Sequence, residues 1–365
     1  MHLGKLGSVI MNSFWLDKRV FLTGHTGFKG SWLSIWLSSR GANVKGYSLA
    51  PGSSSNLFEI AGVDELVSTE INDVRNYSAL LSSMQEHSPD IVIHMAAQPL
   101  VRESYERPLE TYEVNVMGTA NLLEASRHCP TIRAVINVTT DKCYENKEWL
   151  WGYKETDPMG GRDPYSSSKG CAELVTSAYR DSFLYQSKVG VASARAGNVI
   201  GGGDWAQDRL IPDILKSFDL DEPVRIRNPS ALRPWQHVLE PLSGYLILAE
   251  RLFEEPLKYS GGWNFGPHDQ DVQQVDWIVD RMAALWGGAK WDIDEDDNPH
   301  EALLLKLDIS KAVSLLDWTP TWNMDATLEK IIHWHKAWKS GRDMRAVCIN
   351  EIRAFEEDVK VWPQK

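Results

Sequence analysis

Arg19-Val20-Phe21-Leu22-Thr23-Gly24-His25-Thr26-Gly27-Phe28-Lys29-Gly30 decides the fold of this 365-residue chain. A short β-rich run breaks at Gly24, and helical spacing of Trp32, Leu33, Ile35, Trp36 and Leu37 follows. Glycine suits a strand-to-helix turn because the backbone must bend sharply and approach a ligand closely. The helix N-terminus behind it offers unpaired N–H groups and partial positive charge to phosphates. Alone the glycine spacing is also that of a tight turn. Placed between strand and helix, it predicts a dinucleotide site built from Gly24, His25, Thr26, Gly27, Phe28, Lys29 and Gly30.

Outward from this turn, strands alternate with helices. Apolar strands are expected at Ala42–Leu49, Ile91–Met95, Ala134–Thr140 and Gly190–Ala196, with a polar strand ahead of Asp73. Helical spacing runs over Thr111–Arg127 and from Tyr165 to about Tyr185. This alternation predicts an α/β fold, a Rossmann-type doubly wound parallel sheet with right-handed crossovers. After Ile200 the sequence turns richer in Pro, Trp and charge, which predicts a smaller, interleaved C-terminal substrate-binding lobe. The expected division is an N-terminal extension over 1–14 and a dinucleotide domain over 15–200, with returning segments near 237–266. The lobe then takes 201–236 and 267–365. Gly262-Trp-Asn-Phe-Gly266 is expected to rejoin the main sheet as a strand.

Lys plus Arg number 38 against 50 Asp plus Glu, a formal charge of −12. That balance argues against nucleic-acid or anionic-membrane partners, which want a basic face. A polyanionic small molecule remains compatible where a few basic side chains converge. Cys129, Cys143, Cys171 and Cys348 form no CxxC pair and no zinc spacing, so no metal is expected and the thiols read as those of a reduced, cytoplasmic protein. No apolar run approaches the ~18 residues of a membrane span, and Met1 to Ile10 carries Lys5 but no apolar core long enough for a signal peptide. The acidic run Asp292–Asn298 opens like a calcium loop, but Asp297 and Leu303 stand where Gly and Glu are needed. Trp334 and Trp338 share a helical stripe with Leu328 and Ile331, the pattern of packing.

The chemistry is concentrated in Val138-Thr139-Thr140-Asp141-Lys142-Cys143-Tyr144 and in Tyr165-Ser-Ser-Ser-Lys169. Tyr and Lys four apart lie on one helix face, where the ammonium is expected to lower the phenol from about 10 toward neutrality. Asp73, with Val74, is placed either to hold an adenine amino group or to cap a helix. Small residues at Ala96, Ala97 and Gln98 let a cofactor lie over the sheet edge. Asn115 is either a buried structural amide or an active-site brace. The second strand ends without an acid at Tyr47-Ser48-Leu49, so NAD and NADP both stay open, with Lys29 either touching a 2′-phosphate or solvated.

Together these segments resemble the extended short-chain dehydrogenase/reductases that act on nucleotide sugars, specifically their dehydratases. The resemblance runs from about Trp15 to beyond Pro320. It is carried by Gly24–Ser31, Gln98-Pro-Leu-Val-Arg-Glu-Ser104, Thr139-Thr-Asp-Lys-Cys-Tyr-Glu145, Arg195–Trp205 and Arg233-Pro-Trp-Gln-His-Val238. It implies a tightly held nicotinamide cofactor, NAD with NADP not excluded, that is recycled within each turnover. It further implies Tyr165 as base at the sugar 4-hydroxyl, Thr140 on the 4-oxygen, and Lys169 on the nicotinamide ribose. Asp141 would protonate the leaving 6-hydroxyl, which needs a raised pKa. Lys142 stands where better-known relatives carry Glu. This selects the CDP-sugar branch and leaves Lys142 either as the C5 base or as a stabiliser of the enolate.

For the substrate, the resemblance implies Asn198 and Arg102, while Arg209 and Arg233 are candidates for phosphate neutralisation. His237 and Trp235 are candidates to line the nucleotide pocket. The family also implies a homodimer or homotetramer, with Leu174, Tyr179, Phe183 and Leu184 as apolar contact. A 4-epimerase would share the turn and the Tyr/Lys pair but needs no acid/base pair at C5 and C6. A dinucleotide-binding redox sensor would need none of these groups.

Overall fold

The computed structural model describes residues 13–52, 55–293 and 304–359. The extension over residues 1–12 and the acidic stretch from 294 to 298 lie outside them. Seven strands form one parallel sheet: β1 (Arg19–Thr23), β2 (Asn43–Ser48), β3 (Ser68–Ile71), β4 (Ile91–His94), β5 (Ala134–Val138), β6 (Gly190–Ala196) and β7 (Gly261–Phe265), in the order β7-β6-β5-β4-β1-β2-β3. The order reverses between β1 and β4, the switch point at which doubly wound sheets bind ligands. Thr23 there is in register with His94 on one side and Tyr47 on the other.

Both faces of the sheet are buried, which is why its strands read as nearly continuous apolar runs. Val20, Leu22, Ile91, Ile93, Ala134 and Ile136 face one core. Phe21, Val92, Val135 and Val191 face another. The first core is closed by α1 (Phe28–Ser39), α6 (Leu239–Glu254) and α9 (Met344–Asp358), the second by α2 (Tyr77–His87) and α3 (Gly118–Arg127). Trp32 and Trp36 of α1 are fully buried, and truncating either to Ala would cost about 3–5 kcal/mol. Trp36 Nε1 donates to Glu356 at 2.7 Å and Arg40 pairs with the same carboxylate at 2.8 Å, so α9 is fastened to the first helix.

The returning strand is observed: β7 pairs in parallel with β6, from Gly261 opposite Ala192 to Phe265 opposite Ala196. A separate core is built from α5 (Leu210–Leu220), which precedes β7, and from α7 (Val275–Trp286) and the first half of α8 (Met324–Lys339), which follow it, around Ile214, Phe218, Ile278, Met282, Leu328 and Ile331. Trp334 is fully buried against Trp205, so the tryptophan stripe is packing.

Two helices depart from regular pitch. Pro108–Tyr112 runs into α3 through a wider π turn at Glu113–Met117, and α4 (Pro164–Tyr179) continues through another at Arg180–Leu184. No described helix is long and apolar enough to cross a membrane.

Candidate active site

The turn after β1 is built around close approach. Gly24 has φ +76, and a Cβ there would lie 2.7 Å from the Ala96 nitrogen. A Cβ on Gly30 would lie 2.0 Å from the Gly24 carbonyl. Gly27 caps α1 in extended geometry with no side-chain hydrogen bond, so no side chain satisfies the first-turn N–H groups from the cap position. Thr23 Oγ1 accepts from the Met95 and Ala96 N–H groups, both at 3.1 Å, so its own proton goes to His94 Nδ1 at 2.7 Å. Burial, with Lys169 adding to it, lowers His94 to about 3, and it stays neutral. The cradle fits a dinucleotide pyrophosphate without any charged side chain.

Beyond β5 the chain turns at Asp141–Cys143. Thr140 caps this turn, accepting the Lys142 N–H at 3.3 Å, and its hydroxyl donates to Asp141 Oδ1 at 2.9 Å. Tyr165 enters in the first turn of α4, behind Pro164 and the cap Asp163, which accepts the Ser166 N–H at 2.9 Å. The Tyr165 hydroxyl meets Thr140. Lys169, one turn on, is buried and donates to the Val138 carbonyl at 3.4 Å. Asn115, at the π turn, accepts the Gln98 N–H at 2.9 Å and donates to Ser168 Oγ at 2.9 Å. It is therefore both a buried amide and a brace between the β4 loop and the catalytic helix.

Burial raises Asp141, against the Lys142 and Arg233 charges and the Thr140 hydrogen bond. Burial also pushes Tyr165 up to about 12. The expected lowering of Tyr165 by Lys169 is not what this structure shows. The two share a helix face, but the Lys169 amine turns down toward Val138 and Glu173, and burial dominates the phenol. Lys169 itself is lowered to about 8 by burial, with Glu173 opposing. Lys29 is lowered to about 7 by burial and the Lys169 and Arg209 charges.

Lys29, Lys142, Lys169, Arg209 and Arg233 all act electrostatically on Asp141, Tyr165 or one another. In a chain of charge −12, this is the local cationic surplus that a diphosphate substrate requires. Arg209 holds Asp204 at 2.9 Å, and Arg102 reaches Asp208 at 3.1 Å beside Arg227. Asn198 pairs through its carbonyl with the Gln236 N–H at 3.0 Å, next to Gly197.

Other candidates are placed elsewhere. Lys29 does not point to the end of β2. Its amine donates to Tyr245 of α6 at 3.2 Å. Asp73 pairs its carboxylate with Arg75 at 2.6 Å, and the cap of α2 is Asn76. Val74 is buried where Gly118 of α3 approaches it. His237 lies in the core, fully buried between Trp32 and Trp322 and 3.2 Å from Glu351, so it lines no open pocket. Trp235 is buried in the second lobe's core, and Leu184 is buried under α3 while Leu174 and Phe183 remain exposed.

A family model described as GDP-mannose 4,6 dehydratase matches residues 21–331. The chain belongs to this family. A CDP-glucose 4,6-dehydratase of Salmonella typhimurium is 57% identical over 353 residues, covering 95% of this chain and 98% of that protein. Among solved structures, a dTDP-glucose 4,6-dehydratase of Bacillus anthracis in complex with NAD superposes with TM-score 0.75 at 20% identity, over 90% of this chain and 100% of that one. A UDP-glucose 4-epimerase of Thermotoga maritima with UDP-glucose gives 0.77 at 18%, over 88% and 99%. These structures share the family's fold.

Two residues that no motif singles out, Gly197 and Glu173, also shape the site. Glu173 had a signal, since Tyr165, Lys169 and Glu173 repeat every four residues along one face. A Cβ on Gly197 would sit 3.1 Å from Asp141 Oδ2 and 3.2 Å from Pro234. Gly197→Ala must therefore shift the carboxyl group by a few tenths of an ångström. Turnover is expected to fall about tenfold with the melting temperature little changed, since misplacement of ~1 Å can cost about a hundredfold. Steady-state kinetics beside a melting curve test this; unchanged turnover would show that Asp141 needs no fixed position.

Proposed function

We propose that this protein is a CDP-glucose 4,6-dehydratase, a hydro-lyase that converts CDP-glucose to CDP-4-keto-6-deoxyglucose and water. The carrying observation is Asp141, buried, raised in pKa and hydrogen-bonded to Thr140 within reach of Lys142. An acid and an amine placed beside the Tyr165 site serve elimination across C5 and C6, for which a 4-epimerase has no use. The 57% identity to the Salmonella protein supports the choice of CDP-glucose.

A nicotinamide held by the Gly24–Gly30 turn and the β4 loop would supply a reversible hydride acceptor for C4 and C6. The protein's own groups do the rest. The Gly24–Gly30 turn holds the pyrophosphate, and Ala96, Ala97 and Gln98 leave room above β4. Tyr165, in its ionised form, takes the 4-hydroxyl proton while Thr140 hydrogen-bonds the 4-oxygen. Lys169 holds the nicotinamide ribose. The new ketone acidifies C5–H; Lys142 removes that proton and Asp141 protonates the departing 6-hydroxyl. Lys142 then returns a proton to C5. Arg209, Arg233 and Asn198 flank the substrate diphosphate, with Arg102, paired with Asp208, as a further substrate contact. With Lys29 turned to Tyr245, the cation that the sequence offered to a 2′-phosphate is gone, which favours NAD. The lobe of 201–236 and 267–365 supplies the nucleotide side, and the exposed Leu174 and Phe183 suit a homodimer contact.

Incubation with CDP-, dTDP- and GDP-glucose separately, with NAD, followed by mass analysis, tests the reading. Loss of one water from CDP-glucose is expected. Turnover of dTDP-glucose alone would overturn the nucleotide assignment, and an isomer of unchanged mass would mean epimerisation. Lys142→Met should abolish exchange of C5 deuterium from solvent while C4 oxidation stays measurable; persisting exchange would move the base elsewhere.

A further inference from the structure

Glu173 lies two turns beyond Tyr165 and one beyond Lys169 on the same face of α4, and it is nearly inaccessible to solvent. Its carboxylate accepts four hydrogen bonds: Thr139 Oγ1 at 2.5 Å, Ser193 Oγ at 2.6 Å, and Arg195 Nε and Nη2 at 2.9 and 2.8 Å. That fills its acceptor capacity. Arg195 is equally buried and uses its remaining nitrogen on Tyr144 Oη at 2.6 Å and the Glu155 carbonyl at 3.2 Å. Tyr144 in turn donates to Asn264 of β7 at 2.7 Å. One ion pair thus joins α4 to Thr139 at the end of β5, to β6, and through Tyr144, which follows the Asp141–Cys143 turn, to β7.

A buried ion pair is weak evidence of stabilisation, because well-packed apolar residues serve as well. What an apolar pair would not supply here is fixed register between two chain segments, together with a negative charge beneath Lys169. We propose that Glu173 is the positioning residue of this site, clamping the Tyr165–Lys169 helix to the Thr140–Lys142 turn and keeping Lys169 charged. The groups that face Lys169 are Glu173 on its own helix, Cys143 from the turn, His94 from β4 and Lys29 from α1. Glu173 is the carboxylate that opposes the loss of the Lys169 proton; the Cys143 thiol, raised by burial, is neutral there.

Lys169 is ammonium below about 8 and loses its proton as pH rises through that value. Removing the negative charge of Glu173 leaves the Arg195 cation uncompensated, so the ammonium is lost at lower pH. For Glu173→Gln, the pH above which NAD affinity declines, read by calorimetry, is expected to lie about one pH unit lower, in line with a close charge partner. Turnover near pH 8 should fall about 10–100-fold with KM for the sugar nucleotide little changed. Glu173→Asp restores the charge and should return the pH dependence to its original position, although turnover stays reduced. Thr139→Val keeps the charge, removes one strut, and should lower turnover severalfold with no change in pH dependence.

A folded Glu173→Gln protein whose NAD affinity declines at the same pH as the original would overturn the proposal. Should that variant not fold, a Thr139→Val protein with unimpaired turnover would do so. The inference rests on the dehydratase reading for its kinetics, but the calorimetric arm needs no turnover. Failure of CDP-glucose to react would sink that reading and leave the Glu173 result to stand or fall separately.

Discussion

Tyr165→Phe is expected to lower turnover by about 10³–10⁴-fold, the upper range for loss of a positioned acid/base group. The half-buried phenol is the hydroxyl that meets Thr140 Oγ1, and the Thr140 proton is already committed to Asp141 at 2.9 Å. Thr140 cannot replace it without breaking that chain. Lys29, another amine lowered toward neutrality, is directed at Tyr245. Since Phe keeps the ring that packs in the first turn of α4, NAD affinity and thermal stability should stay within a small factor of the original. The step to measure is reduction of bound NAD by CDP-glucose in a single turnover. A loss below about tenfold would show that the 4-hydroxyl proton leaves by another route.

Asp141→Asn is expected to divide the reaction in two. The amide preserves the contact with Thr140 but cannot deliver a proton to a leaving hydroxyl. C4 oxidation should persist within about tenfold, while release of water should fall by about 10²–10³-fold. The bound cofactor would then remain reduced, visible as near-ultraviolet absorbance that rises after CDP-glucose is added and does not decay. The raised pKa gives a second expectation. Asp141 serves as acid only while protonated, and burial extends that condition to higher pH than for an exposed carboxyl. Elimination by the original protein should therefore decline on the alkaline side before C4 oxidation does. An Asp141→Asn protein that releases product at the original rate would remove Asp141 from the chemistry.

Much of this architecture is legible in the sequence because parallel strands buried on both faces must be apolar throughout. β1, β4, β5 and β6 could be read from that rule, and β7 from the brief apolar return after a polar lobe. β3 is legible only as a polar stretch, since Ser68–Ile71 is a solvent-facing edge strand. The Tyr165–Lys169 pairing follows from helical geometry, but its electrostatics do not. Whether Lys169 turns toward the phenol or toward Val138 depends on packing between β5 and α4. Lys29 and His237 show the same limit. Each sits in a motif that suggests ligand contact, and each is directed inward by a helix the motif does not contain: α6 for Lys29, α9 for His237. The π turn at Asn115 leaves no mark in the residue pattern, although it lets one amide reach both Gln98 and Ser168.

The return of β7 has a consequence for how the chain acquires its structure. Strand β6 is finished at Ala196, but its hydrogen-bonding neighbour is not synthesised until Gly261–Phe265, after the 201–236 segment of the second lobe and α6. Until then β6 is an apolar edge with unpaired backbone groups, the feature that invites association between chains. Pairings between residues so far apart in sequence also form slowly. A nascent chain released after β6 would expose this edge, whereas one extended through Phe265 can seal it. The 201–236 segment and α6 therefore lie between a vulnerable edge and its cover, and the time taken to make them sets how long the growing protein is at risk of aggregation.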